Sequence, residues 1–169
     1  DDDMDSNEDV KIAISGVSTV AATNMTRTNA TTYTYTYTAP AGDGTDTFVL
    51  SNGKDVAGNA LNTTPSNNTV EVDNTSPSAT LSYSPDRPYS QGDSVTVTAT
   101  FNDDMDSNED VKIAISGVSS VAATNMSRSS ATVYTYTYTA PAGDGTDTFV
   151  LSNGQDVAGN ALNTSPTNN

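Results

Sequence analysis

The feature that most constrains the fold is an internal repeat with a period of 101 residues. Residues 2–68 align without a gap with residues 103–169, and 59 of the 67 aligned positions carry the same residue. The segment 69–101 has no counterpart in the chain. A period near 100 is too long for helical solenoid repeats and matches the length of a whole β-sandwich domain. The repeat therefore predicts similar domains in tandem.

Short runs of alternating residues predict β-strands throughout the chain. In the run DSVTVTATF, Val95, Val97 and Phe101 alternate with Ser and Thr, and Ile12 and Ile14 lie in a similar run, VKIAIS. Alternation with a period of two in runs rich in Val, Ile, Thr and Tyr is typical of half-buried strands, and no stretch has a helical period. We expect an all-β fold of sandwiches, with a hairpin at Asp43-Gly44.

The order of the predicted strands sets the domain boundaries. Turn residues and Pro77 in VDNTSP mark a junction. A unit that starts there has strands at 78–84 and 94–101, an acidic loop and four more strands, and it closes with a strand like TVEV at 69–72. We expect a domain 1–72 that lacks its first two strands and a domain 73–169 that lacks its last. A longer polypeptide or strands from a neighbouring molecule would complete them.

Charge and composition exclude several function classes. The chain has 21 acidic and six basic residues, a net charge of -15, and no histidine or cysteine. Nucleic acids and anionic membranes require positive charge, so neither is an expected partner. The commonest general base and the best thiol nucleophile are both missing, so we expect no enzymatic activity. No apolar run is long enough to span a bilayer.

The chain resembles the bacterial Ig-like repeats of large prokaryotic surface proteins, which form adhesins and cell-surface fibres. The resemblance rests on three pieces in order: the D-N-T-x-P linker, the Y-x-Y-x-Y strand before A-G-D-G, and D-x-A-G-N. It implies immunoglobulin-like β-sandwiches in tandem, about 100 residues each. It also implies an extracellular, cell-surface location and calcium at or near the domain junctions.

The stretch DDMDSNEDVKIAISG, present in both repeats, is the candidate calcium loop. It places oxygen-bearing residues at alternate positions, although the Gly and closing Glu of a helix–loop–helix calcium loop are missing. Crowded carboxylates repel one another, and a divalent cation would reverse that repulsion. The alternative is a solvated loop that keeps the protein soluble. The candidate ligands are Asp103, Asp104, Asp106, Asn108 and Asp110, and in the first repeat Asp2, Asp3, Asp5, Asn7 and Asp9.

The resemblance adds three candidate ligands outside this loop. Asp73 lies in the linker, and Asp55 and Asp156 begin the two D-V-A-G-N motifs. A calcium ion at Asp73 would stiffen the joint between neighbouring domains.

The tyrosine ladder YTYTYT, present in both repeats, has two interpretations. Tyr134, Tyr136 and Tyr138 share one face of a predicted strand, as do their counterparts in the first repeat. Such rings usually pack in a core, and alternatively they form a platform for sugars. Seven N-x-S/T sequons, close to the number expected by chance, would carry glycans in a glycosylating host.

These observations favour an extracellular structural repeat, the stalk of an adhesin or the body of a filament, stiffened by calcium. Its expected partners are neighbouring copies of the same repeat, with a cell-surface or glycan target elsewhere in the full-length protein. Two alternatives remain. One is a polymerising fibre subunit whose sandwiches are completed by strands from neighbouring molecules. The other is a carbohydrate-binding module that uses the Tyr face.

Overall fold

Alternating Val, Thr, Ile and Tyr residues form thirteen β-strands in a computed structural model that describes residues 3–169. All strand pairs in its sheets are antiparallel, and the described residues form no helix. The all-β prediction is therefore confirmed. In particular, residues 3–169 hold no helix with the length and apolar character that a membrane crossing requires.

The chain divides into two compact units, Asp1–Asn74 and Thr75–Asn169. The predicted boundary, between residues 72 and 73, lies two residues earlier. Of the residues proposed from the sequence, Asp2 lies outside the described part of unit 1.

Unit 1 contains one four-stranded sheet and one short hairpin. Its strands are β1 (Lys11–Ser15), β2 (Thr19–Asn24), β3 (Thr26–Arg27), β4 (Tyr33–Thr34), β5 (Gly44–Ser51) and β6 (Thr69–Val72). The sheet has the order β2-β1-β5-β6, and β3 pairs with β4. The predicted strand TVEV is confirmed as β6, and it forms an edge of the sheet.

Unit 2 contains two sheets that share one core, an arrangement consistent with a β-sandwich. Its strands are β7 (Ala79–Ser84), β8 (Ser94–Phe101), β9 (Lys112–Gly117), β10 (Ser120–Asn125), β11 (Ser127–Arg128), β12 (Val133–Thr139) and β13 (Asp147–Ser152). The sheets have the orders β11-β12-β8-β7 and β10-β9-β13. The two opening strands agree with prediction, but five strands follow the acidic loop rather than four.

The predicted hairpin at Asp43-Gly44 is wrong. Strand β4 pairs with β3, whereas β5 pairs with β1 and β6. In unit 2, β12 and β13 likewise belong to different sheets. The Gly-rich segment therefore carries the chain from one sheet to the other. Its turn residues allow both paths, and the partners available to each strand decide between them.

The same residues are buried to different degrees in the two units. Phe149 and Leu151 belong to the core of unit 2, and Leu151 is fully buried. Their counterparts Phe48 and Leu50 are only half-buried in unit 1. In unit 2 the core includes residues of β7 and β8, and residues 3–74 contain no counterpart of these two strands. The extra strands therefore account for the better-sealed core of unit 2.

Candidate functional site

The acidic loop of unit 2, residues 103–110, connects β8 to β9. Amide groups of the loop donate hydrogen bonds to carboxylates of the same loop. The Asp106 Oδ1 atom accepts hydrogen bonds from the backbone N–H of Asn108 at 2.9 Å and from its Nδ2 atom at 2.8 Å. These bonds stabilise the charged carboxylate, and the backbone bond is the main cause of the lowered pKa of Asp106. The alternating Asp and Asn residues thus form a tight turn.

Other oxygens of this loop are held by separate partners. The Asp110 Oδ2 atom accepts a hydrogen bond from Asn125 Nδ2 at 2.7 Å, and the Asp103 Oδ1 atom accepts one from the backbone N–H of Asp104 at 2.7 Å. Within residues 103–110, no three carboxylates have oxygen atoms within 4.8 Å of one another. The structure therefore does not gather the carboxylates of the loop at one point.

Two predicted ligands do meet in unit 2, namely Asp103 and Asp156. Their carboxylate oxygens lie within 4.8 Å of one another, and Asp156 is almost fully buried. Carboxylate oxygens are the ligands that Ca²⁺ prefers, and the two together would supply part of the six to eight oxygens that it takes. This pair brings Asp103, the first residue of the loop, to the D-V-A-G-N motif.

The D-V-A-G-N motif also has a structural role. The Asp156 carboxylate accepts hydrogen bonds from Asn160, at 2.8 Å from its backbone N–H and at 3.0 Å from its Nδ2 atom. Gly159, with φ of 96°, adopts the positive φ that this turn needs and that favours glycine. The resemblance pointed to Asp156 as a ligand, and the structure adds that it closes a turn.

Unit 1 repeats the two turns, the one at the acidic loop and the one at the D-V-A-G-N motif. The Asp5 Oδ1 atom accepts hydrogen bonds from the backbone N–H and Nδ2 of Asn7, at 2.9 and 3.0 Å. The Asp55 carboxylate is held by Asn59 at 2.8 and 2.7 Å, and these bonds lower the pKa of Asp55. Unit 1 also contains an ion pair, in which Lys54 Nζ lies 2.7 Å from Glu8 Oε1. The residue equivalent to Lys54 in unit 2 is Gln155.

The remaining candidates of unit 1 are Asp3, Asp9 and Asp73. The Asp9 Oδ2 atom accepts a hydrogen bond from Asn24 Nδ2 at 2.9 Å, and the side chain of Asp3 is exposed. Asp73 is half-buried and follows β6 directly. The counterpart of Asp103 in this unit is Asp2, which lies outside the described residues.

Sequence reasoning missed a polar cluster in unit 2 that is formed by two buried residues, Tyr138 and Ser119, and the half-buried Asp147. Tyr138 donates a hydrogen bond to the Asp147 carboxylate, which also accepts bonds from the Ser119 backbone N–H at 2.7 Å and from Ser119 Oγ at 2.6 Å. In unit 1, Tyr37 donates to Asp46 at 2.6 Å. The equal spacing of nine residues in both repeats is the only sequence signal of this pair.

The cluster shifts the pKa of both partners in unit 2. Burial acts to raise the pKa of Asp147, but the hydrogen bonds from Ser119 and Tyr138 outweigh it, so the pKa lies below its usual value. Burial and the bond to Asp147 raise the pKa of Tyr138. Both groups are therefore held in their ordinary states, a charged carboxylate and a neutral phenol, and the pair serves to connect the two sheets.

The tyrosine ladder is part of the core in unit 2, which confirms the packing interpretation there. Tyr134 and Tyr138 are buried, and Tyr136 packs against the core. The Tyr134 ring contacts Phe101 edge-on at 5.7 Å between centroids, and the Tyr138 ring contacts Phe149 at 6.0 Å. Edge-to-face pairs at these distances are favourable. Unit 2 therefore presents no platform of three exposed rings.

Comparison with protein-family models, with curated proteins and with solved structures finds no match to this chain.

Proposed function

We propose that the chain is a segment of an extracellular array of immunoglobulin-like β-sandwiches, which forms the stalk of an adhesin or the body of a cell-surface filament. The observation that carries the proposal is the complementary strand content of the two units. Unit 1 holds β6, which has no counterpart in unit 2, and unit 2 holds β7 and β8, which have none in the described part of unit 1. One period of the repeat contains one set of all these strands.

The strand order supports the immunoglobulin-like assignment. In that fold the strands A, B, E and D form one sheet and C, F and G form the other. Taking β7 as A and β8 as B, the sheet β11-β12-β8-β7 corresponds to D-E-B-A. The sheet β10-β9-β13 then supplies C and F with one further strand beside C. Strand β6, next to β5 in unit 1, takes the place of G.

A mechanical role without catalysis suits the remaining features. Near-identical repeats perform the same task at successive positions, as a stalk requires. A net charge of -15 keeps such an array soluble and disfavours polyanionic partners. The cell-surface location rests on the resemblance to bacterial Ig-like repeats. The carbohydrate-binding alternative loses support because Tyr134 and Tyr138 are buried.

We further propose that calcium stiffens the array, with Asp103 and Asp156 among its ligands. These two side chains suit a calcium ion. Their carboxylate oxygens lie within 4.8 Å of each other and Asp156 is buried, so the two negative charges repel each other unless a cation lies between them. Extracellular modules bind calcium with dissociation constants of about 0.1–1 mM. At a hundredfold excess of free ion over that constant, one site adds about 2.7 kcal/mol to the free energy of unfolding.

Thermal unfolding with calcium and with a chelator tests the role of the ion. We expect calcium to raise the unfolding temperature of the wild-type chain. Asp103→Asn should abolish the increase, because it removes a negative charge from the proposed site. The substitution keeps the Oδ1 atom that accepts the hydrogen bond from the Asp104 N–H. The control is Glu109→Gln, the same change of charge at an exposed position of the loop. Equal unfolding temperatures with and without chelator would remove calcium from the proposal.

Lengthened chains test the array itself. One or two further copies of the period 69–169 are inserted, and the maximum dimension is measured by small-angle X-ray scattering. A stalk predicts an equal increase for each copy, about 35–45 Å, which is the length of about 11–14 strand residues. A maximum dimension that stays constant as copies are added would contradict a stalk.

A further inference from the structure

The turns that follow β5 and β13 contain the same pair of residues, an asparagine and a glycine. The chain has two Asn-Gly dipeptides, Asn52-Gly53 and Asn153-Gly154, at equivalent positions of the two repeats. Each asparagine comes directly after the last residue of its strand. Each is exposed and has a left-handed backbone, with φ of 60° at Asn52 and 59° at Asn153. Asparagine tolerates this conformation better than most residues, so the turn itself favours asparagine.

Packing requires the glycine that follows each asparagine. A Cβ atom at Gly154 would lie 2.7 Å from Leu162 Cδ2 and 3.0 Å from Val111 Cγ2, and both side chains belong to the core of unit 2. At Gly53 the distance from a Cβ atom to Leu61 Cδ2 would be 2.2 Å. Neither position has room for a side chain. The fold therefore keeps a residue without a side chain directly after each asparagine.

The asparagine side chains connect these turns to the acidic loops. Asn153 Nδ2 donates a hydrogen bond to the carbonyl oxygen of Asp110 at 2.9 Å, and Asn52 Nδ2 donates one to the carbonyl oxygen of Asp9 at 3.0 Å. A carboxylate has no hydrogen to donate, so an aspartate in place of either asparagine would bring two acceptors together and lose the bond. The contact therefore depends on whether this side chain is an amide or an acid.

The backbone nitrogen atoms of the two glycines have no hydrogen-bond partner. Within residues 3–169, no oxygen accepts a hydrogen bond from the N–H of Gly53 or Gly154. Glycine also leaves its nitrogen open to approach, because it has no Cβ atom. Each of the other asparagines from Asn7 to Asn168 precedes a residue with a side chain. Only these two turns therefore combine an exposed amide side chain with an unhindered nitrogen in the next residue.

We propose that Asn52 and Asn153 are sites of spontaneous deamidation, a modification that needs water and no enzyme. The glycine nitrogen attacks the asparagine Cγ atom. The N–Cγ bond forms, the Cγ–Nδ2 bond breaks, and ammonia leaves with the proton of the glycine N–H. Water then opens the cyclic imide at either carbonyl, which gives aspartate or isoaspartate. The proposal is independent of the extracellular role.

The fold sets the rate at each site. Ring closure requires the asparagine side chain to rotate toward the glycine nitrogen, and the hydrogen bond to Asp9 or Asp110 restricts that rotation. The reaction is therefore slower in the folded chain than in the unfolded chain. The leucine against each glycine differs in burial, since Leu162 is buried and Leu61 is half-buried. The turn of unit 1 therefore opens more easily, and Asn52 reacts first.

The test incubates the whole chain at mildly alkaline pH, with and without denaturant, and measures conversion by mass spectrometry of tryptic peptides. Cleavage after Arg27, Lys54 and Arg128 places Asn52 in peptide 28–54 and Asn153 in peptide 129–169. Fragmentation of each peptide locates the converted residue, and a sample digested without incubation gives the background. Release of ammonia distinguishes the reaction from isomerisation of aspartate, which leaves the mass unchanged.

We expect conversion at both sites, faster in denaturant than in the native chain. In the native chain we expect conversion about tenfold faster at Asn52 than at Asn153, because local opening is easier in unit 1. Three results would overturn the proposal: no conversion at either site, equal conversion at the other asparagines, or equal rates with and without denaturant. A native rate at Asn153 that reaches the rate at Asn52 would overturn the order set by the fold.

Two variants measure the consequence for unit 2. Asn153→Asp gives the aspartate product and should lower the unfolding temperature of unit 2 by about 4–8 °C, the shift expected for loss of one hydrogen bond in a unit of this size. The control is Gln91→Glu, the same change from amide to acid at an exposed residue of unit 2, which should leave the unfolding temperature unchanged. Equal shifts in the two variants would overturn the role of the contact between Asn153 and Asp110.

Discussion

Tyr138 of β12 donates a hydrogen bond to Asp147, the first residue of β13. The two strands lie in different sheets of unit 2, so this bond connects the sheets at the edge of their shared core. Tyr138 is buried, and the carboxylate accepts two further hydrogen bonds from Ser119. The cluster therefore satisfies a charged group that would otherwise be costly at the edge of the core.

Removing the phenolic hydroxyl tests the strength of this bond. We expect Tyr138→Phe to lower the free energy of unfolding of unit 2 by about 1.5–3 kcal/mol, the usual range for a hydrogen bond to a charged group. Denaturant-induced unfolding followed by the NMR signals of unit 2 measures it. The control, Tyr136→Phe, makes the same change on the same strand and should cost less. If both variants lowered the free energy of unfolding equally, the hydrogen bond to Asp147 would contribute no extra stability.

The lowered pKa of Asp147 predicts a dependence of stability on pH. A carboxyl group with a lower pKa in the folded state stabilises the protein above its ordinary pKa of 3.8. That contribution is lost as the pH falls below 3.8 and through the lower value of the folded state. We therefore expect Asp147→Asn to narrow the difference in stability of unit 2 between pH 7 and pH 3. Parallel pH profiles for wild type and variant would contradict the shift.

Gly117 should not tolerate a side chain. Its φ is 137°, and a Cβ atom there would lie 2.2 Å from the carbonyl oxygen of Thr146. We expect Gly117→Ala to destabilise unit 2 by about 3 kcal/mol or more, since overpacking adds to an unfavourable backbone conformation. Gly159→Ala is the matched control, with φ of 96° but open space around the Cβ position, and should cost about 1–2 kcal/mol. Chemical denaturation of both variants decides whether the close contact matters.

Matched amides in the two units should exchange at different rates. The Leu50 N–H donates to Thr63 O at 2.9 Å and the Leu151 N–H donates to Thr164 O at 3.0 Å, so the hydrogen bonds are alike. Leu151 is fully buried and Leu50 is not. We expect the Leu50 amide to exchange at least about tenfold faster by NMR, because local opening exposes less additional apolar surface in unit 1. Equal rates would mean that β7 and β8 do not stabilise this strand.

The sequence was a good guide to the strands and a poorer guide to their partners. Strand β6 lies where TVEV predicted it, and β7 and β8 agree with their predicted ranges to within one residue. The hairpin at Asp43-Gly44 was wrong because turn residues specify a change of direction and not the sheet that the chain enters next.

The candidate site was predicted in part. The acidic loop was evident from the sequence as a concentration of carboxylates. In the structure, Asp106 accepts a hydrogen bond from Asn108 and Asp110 accepts one from Asn125, so these two carboxylates have separate partners. The proximity of Asp103 to Asp156 requires the fold, because 52 residues separate them in the sequence. The Tyr138–Asp147 pair was missed because side-chain direction at the ends of two strands depends on how the sheets pack.

The amino-acid sequence by itself determined which segments can be strands, through alternation of apolar and polar residues and through the Gly and Asn turns between them. Only the tertiary structure decided which of these segments become strands. The sequence YTYTYT lies within the seven-residue strand β12 of unit 2, where β8 pairs with every residue of β12, but its counterpart in unit 1 forms a strand only at Tyr33–Thr34. A β-strand exists through hydrogen bonds to a neighbour, and identical residues therefore adopt different structures when only one copy has that neighbour.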